Sequence, residues 1–141
     1  MSNVIENLQK AFDDELIKFG VTNSIEVATE NIDEPTDVSK PYISGYLLAT
    51  DFLSADLGVN EQVSTIYQID VNYTSHRGSS NANKMIDKLR QQFAINTSHH
   101  WPITGGDCFT VNSISISNLP VNNGWARKSI SLSVSGFTPV L

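Results

Sequence analysis

Three histidines and one cysteine hold most of the nucleophilic and metal-ligating capacity of this chain. His99 and His100 are adjacent, so on a strand they point to opposite faces, and on a loop they rarely converge on one ion. With His76, Asp107 and Cys108 they make up the donor set that a small metal-dependent hydrolase would use. The spacing does not support such a site, because the chain has no Cys-x-x-Cys and no His-x-x-x-His. The plainer reading is a pair of loop histidines beside Trp101. Cys108 opens a predicted strand, where a lone cysteine is ordinarily a small core residue. Arg77-Gly78-Ser79-Ser80 precedes a helical pattern, and helix N-termini attract anions. It lacks the lysine and glycine spacing of a phosphate loop, so Ser79 or Ser80 is read as the helix cap. Asp51, Asp56 and Asp70 have no companion motif and read as surface charge or as salt-bridge partners across an interface. No catalytic, cofactor or metal residue is assigned, and the expectation is a protein that is not an enzyme.

The totals narrow the classes further. A chain of 141 residues with 40% hydrophobic residues fits one domain with a sizeable core. A net charge of −6, with nine scattered lysines and arginines, argues against a nucleic-acid surface. One cysteine excludes an internal disulfide and suits a reducing compartment. The opening residues carry acids and no apolar run, so no signal peptide is expected. No apolar stretch approaches the roughly 18 residues of a membrane span. These features predict a soluble, cytoplasmic product.

The elements that must position any site follow from periodicity. Val4, Ile5, Leu8, Ala11, Phe12, Leu16 and Phe19 recur at helical spacing, with Gly20 as the stop and Asp13, Asp14, Glu15 and Lys18 on or beside the other face. Residues 24–29 read as a short strand, and 30–40, with Pro35, as a loop. Residues 42–52 read as a long strand interrupted by Gly45, which marks a bulge or a close backbone approach. In residues 65–74, Tyr67, Ile69, Val71 and Tyr73 alternate with polar residues, giving a strand that pairs with the previous one. Ala82, Met85, Ile86, Leu89 and Phe93 then form one helical stripe. Between the two paired strands, residues 53–62 are longer than a tight turn requires. Two readings stand: an extended hairpin, or an arm that orders against a neighbour. Residues 94–107 read as a long connection. Residues 108–117 form a strand whose apolar phase changes between Phe109/Val111 and Ile114/Ile116, suggesting a bulge or burial on both faces. After turn material at 118–124, residues 125–137 alternate Ile130, Leu132 and Val134 with Ser129, Ser131, Ser133 and Ser135. The last two strands should form an antiparallel hairpin. The predicted fold class is α+β: a single largely antiparallel or mixed β-sheet with two amphipathic helices packed on one face. The strand–helix–strand piece 65–117 is a candidate right-handed crossover. The serine phase of the last strand has the small, neutral, hydrogen-bonding character of a surface covered by another copy, or of an ordinary solvated face.

The order of these pieces resembles the phage tail terminator-like family of siphophages, related in fold to the lambda tail terminator. The resemblance rests on the helix ending Leu16-Ile-Lys-Phe-Gly20, the strand Pro41-Tyr-Ile-Ser-Gly-Tyr-Leu-Leu48 and the aromatic strand Tyr67-Gln-Ile-Asp-Val71. It continues in the helix Ile86-Asp-Lys-Leu-Arg-Gln-Gln-Phe93 and the tryptophan-led strand Trp125-Ala-Arg-Lys-Ser-Ile-Ser-Leu-Ser-Val134. It covers nearly the whole chain as one domain, 1–141. The segment around His99-His100-Trp101 matches nothing typical of the family.

The resemblance implies a structural virion protein, located in the virion tail and in the host cytoplasm during assembly. Such a protein forms a homo-oligomeric ring, usually a hexamer, that caps the end of a tail tube. It stops tube polymerisation and offers a surface to the head-completion or neck protein. The partners would be other copies, the tail tube protein and the neck protein, with no cofactor. Candidate interface residues are Leu53, Asp56, Leu57, Val59 and Glu61 in the segment between the paired strands, and His76 and Arg77 in the turn before the second helix. Ser131 and Ser133 on the last strand complete the set. The alternatives are another phage neck or head-tail completion protein, and a small metal-dependent hydrolase.

Overall fold

A computed structural model describes residues 4–29, 40–56, 60–73, 78–101, 107–122 and 125–139. Helix α1 (Val4–Asn23) is followed by β1 (Glu26–Ala28), β2 (Tyr42–Asp56) and β3 (Asn60–Tyr73). Then come α2 (Gly78–Gln92), β4 (Ser98–Trp101), β5 (Asp107–Asn122) and β6 (Trp125–Pro139). The strands form one sheet in the order β1-β2-β3-β6-β5-β4. Among the described residues only the β1–β2 pair is parallel. Parallel neighbours need a crossover of about a dozen residues, and the stretch between Ala28 and Tyr42 supplies that length. The fold is thus α+β, with a mostly antiparallel, mixed sheet and both helices on one side.

Helix α1 buries Leu8, Ala11, Phe12, Leu16 and Phe19, the predicted stripe, while Ile5 is left half exposed. It runs past Gly20 to Asn23. The stop is a Schellman closure: Ser24 takes the left-handed conformation at φ 54°, and Ile25 N–H donates to Gly20 O at 3.0 Å. The Asn23 side-chain amide donates to Phe19 O at 3.0 Å, satisfying another terminal carbonyl. Gly20 itself is where β1 packs on the helix, since a Cβ there would run into Val27. Helix α2 buries Ala82, Met85, Ile86 and Leu89, with Phe93 directly after it, as the stripe predicts. It begins at Gly78, so Ser79 and Ser80 lie in its first turn rather than before it.

Helix α2 lies over the middle strands β3 and β6, whereas α1 reaches the outer strands β1 and β2 on one side and β4 and β5 on the other. The core fills the space between the helices and the sheet face carrying Ile43, Tyr67, Ile69, Val71, Ile130, Leu132, Val134, Phe109 and Val111. At Gly45 the backbone makes a close approach: a Cβ would collide with the Tyr67 hydroxyl and lie 2.7 Å from Leu16 Cδ2. The bulge in β2 falls slightly later, between Leu47 and Thr50. The phase change in β5 is also a bulge, between Val111 and Ser113. Two expected connections turn out to hold strand. Residues 98–101 form β4, and β5 continues through 118–122, where turn was expected. Strands β3 and β5 both run antiparallel to β6, so they are parallel to each other with β6 between them, and α2 carries the chain across.

Candidate interaction surfaces

Of residues 53–62, the described ones, 53–56 and 60–62, are paired strand. Strand β2 continues to Asp56 and β3 starts at Asn60, with Leu53 opposite Gln62 and Ser54 opposite Glu61. Beside it, β6 keeps register with β3 as far as Pro139. Leu53, Asp56 and Glu61 are therefore brought together at one end of the sheet. Leu57, Val59, His76 and Arg77 lie outside the described residues. The chain leaves β3 at Tyr73, the opposite end of a 14-residue strand, which spans about 45 Å at 3.3 Å per residue. The described members of the expected set thus do not form one patch: Leu53, Asp56 and Glu61 lie at one end of the sheet, whereas Ser131 and Ser133 lie along the central strand β6. Phe52, absent from the expected set, is 41% exposed on this hairpin, although its partner Val63 is buried.

The second surface is the sheet face turned away from the helices. Residues directly opposite across strands share a face, so the register fixes its rows. One row is Ser44–Asp70–Ser129–Ser117, the next Tyr46–Gln68–Ser131–Ser115, and the third contains Ile66, Ser133 and Ser113. Ser133 is exposed, Ser131 and Ser135 are half-buried, and Ser129 is buried. The serine phase is therefore not uniformly open. Leu48 and Ile66 are exposed, at 43% and 40%. Polar atoms at one end are tied down: Arg127 Nε donates to Asn72 Oδ1 at 3.0 Å, and Gln68 Nε2 donates to Asp70 Oδ1 at 2.8 Å. Strand β6 is central to the sheet, so its serines are shielded from edge pairing by β3 and β5.

The two adjacent histidines separate. His99 and His100 sit on strand β4, and alternation sends them to opposite sides. His99 is buried, with Phe12 at a ring-centre distance of 4.9 Å and Phe93 at 5.4 Å. This corrects the expectation of a loop histidine beside Trp101. His100 is exposed, and its Nε2 lies 3.7 Å from Cys108 Sγ on β5, directly across the ladder. Among the described residues no three His, Cys, Asp or Glu side chains come together as a metal site. Burial lowers the pKa of His99, the Glu15 carboxylate partly raises it, and His100 lowers it further. Asp13, expected on or beside the solvent face of α1, is instead buried and accepts a 2.5 Å hydrogen bond from the buried Tyr67 hydroxyl. It follows Phe12 at the margin of the stripe, in line with Leu16 and Gly20. The tyrosine in an otherwise apolar phase was the available signal for such a partner.

The clefts add no reactive set. An open trough of about 360 Å³ is lined by Ile17, Gly20, Val21, Ser24, Ile25, Glu26 and Val27. A smaller cleft of about 330 Å³ lies between Phe19, Asn23, Lys88, Gln91 and Gln92. Neither brings a nucleophile beside a base. Among the described residues no helix is long and apolar enough to cross a membrane.

Comparison with protein-family models and with curated proteins gives no match. Among solved structures, this chain is similar to a protein designated only by a sequence identifier, with a TM-score of 0.75 and 22% identity over 96% of both chains. At that identity the likeness is one of fold, and the helix–sheet arrangement described above is shared over nearly the full length of both proteins.

Proposed function

We propose that this chain is a structural virion protein that closes the end of a phage tail tube, stops its polymerisation and presents a surface for head or neck attachment. Its work is assembly rather than bond-breaking. The observation that supports this reading most directly is the outer sheet face. Over its central rows it is polar, with Asp70 as the charged member and Ile66 exposed among Ser131, Ser133, Gln68 and Tyr46. Solvated sheet faces ordinarily carry charged side chains; one with so few charges and an exposed isoleucine suits coverage by protein. The hairpin end, with Phe52, is a second and different surface. Two unlike surfaces are what a repeated head-to-tail contact requires for ring closure.

The test is to add the purified chain to growing tail tubes and to measure its mass alone over a range of concentrations. The expected result is tubes capped and limited in length, with a ring at one end under the electron microscope. Tubes that grow uncapped while the chain binds isolated neck components would move the assignment to a neck or head-tail completion protein.

A further inference from the structure

Strand β4 is the outermost strand beyond β5, four residues long, and among the described residues it has one ladder neighbour. Besides its ladder to β5, it is held by one inward side chain: among its described side chains only that of His99 is buried. His99 reaches inward from β4 to meet Phe12 of α1 and Phe93 at the end of α2, and those two rings lie 6.0 Å apart. The imidazole therefore stands where both helices and the edge strand meet. Its Nε2 lies 3.1 Å from Thr97 Oγ1, and the Thr97 hydroxyl donates its only hydrogen to Ala94 O. The hydroxyl must then accept from His99, which fixes the neutral ring as the Nε2–H tautomer. An added proton has to go to Nδ1, and it places a full charge between two phenyl rings.

Among the described residues, few charged groups face that position. From α1 comes Glu15, whose carboxylate already accepts a 2.7 Å bond from Gln92 of α2, while Asp13 on the same helix is engaged by Tyr67. From β4 itself comes His100; opposite His99 on β5 stands Phe109, which is apolar. Burial opposes the charge more than Glu15 favours it. The least costly relief is for the short edge strand to peel away, since only β4 need move to return the ring to water.

We propose that His99 is an acid-sensitive latch: neutral, it pins β4 to both helices, and protonated, it releases β4 and uncovers the outer edge of β5. The unfolded or released chain takes up a proton near the ordinary histidine value of about 6.5, whereas the latched form resists until lower pH. Latching is therefore complete above that value. It weakens up to tenfold per pH unit as the pH falls between the ordinary value and the depressed one. This inference does not depend on the assembly reading.

Amide hydrogen exchange of the full chain, corrected for intrinsic rates and followed from pH 7.5 to 5, tests it together with an NMR titration of the imidazoles. The expected result is a loss of protection of up to tenfold per unit confined to residues 98–101 and 108–110, with α2 unchanged. His99→Phe should keep the aromatic slot filled and abolish the acid step. Glu15→Gln, which removes the favourable carboxylate, should move the midpoint to lower pH. A His99 resonance that titrates at or above the ordinary value would overturn the proposal. So would an equal acid loss of β4 protection in wild type and His99→Phe.

Discussion

Tyr67 is the residue on which several local choices depend. The phenol end of its ring comes so close to β2 that position 45 has no room for a Cβ, and its hydroxyl ends on Asp13 of α1. A tyrosine fully buried in the core needs such a partner, and a carboxylate is a strong one. Tyr67→Phe should therefore cost about 1.5–3 kcal/mol, because the buried Asp13 carboxylate loses a charge-assisted bond. Gly45→Ala should cost about 1–3 kcal/mol through overpacking, as the new methyl displaces the Tyr67 hydroxyl and Leu16. Urea unfolding of the single and double variants measures both. Because the new methyl meets the very hydroxyl that the other substitution removes, the two losses should be less than additive. Strict additivity would mean that the ring does not dictate the glycine.

At the scale of elements, legibility followed the strength of the local pattern. The stripes of α1 and α2 and the alternation in β6 were readable because burial on one face repeats over several turns or residues. The change of phase in β5 was readable as a bulge for the same reason. What failed was local termination and single-residue burial. Gly20 looks like a helix stop, yet the chain turns four residues later at Ser24, because the glycine is needed where Val27 packs. Strand β4 was hidden because Ser98-His-His-Trp101 has no apolar alternation; its inward residue is a histidine, recognisable only once Phe12 and Phe93 surround it. Asp13 was misplaced for a related reason, its partner lying 54 residues away on β3. The termination can be tested directly. A serine in the left-handed conformation is strained, so Ser24→Gly should raise stability by up to about 1 kcal/mol. A thermal midpoint raised by that substitution, with unchanged circular dichroism, is the expected outcome; a lowered midpoint would show that the Ser24 side chain matters more than its backbone.

At the scale of the whole molecule, the sheet presents two exposed surfaces that the helices do not cover, and they should be separable by substitution. Phe52, on the hairpin, is 41% exposed, so Phe52→Ser should cost about 1–2 kcal/mol and leave the fold intact. Ser133, exposed at the centre of a polar face, should accept lysine with a change within about 0.5 kcal/mol. Assembly should respond quite differently. If the outer face is covered by another subunit or by the tube, Ser133→Lys places a charge beside Ile66 in an interface, and desolvating it should weaken association at least tenfold. Phe52→Ser removes an exposed ring of the kind that anchors interfaces and should weaken a different contact. If the proposed ring closes head-to-tail, the decisive measurement is made on each variant separately. Each variant alone should fail to close rings, whereas a surface used only for tube binding should leave ring formation intact and abolish capping. Mass measurements without tubes and microscopy with them distinguish these outcomes. Wild-type association and capping by both variants would remove the exposed sheet surfaces from the assembly mechanism.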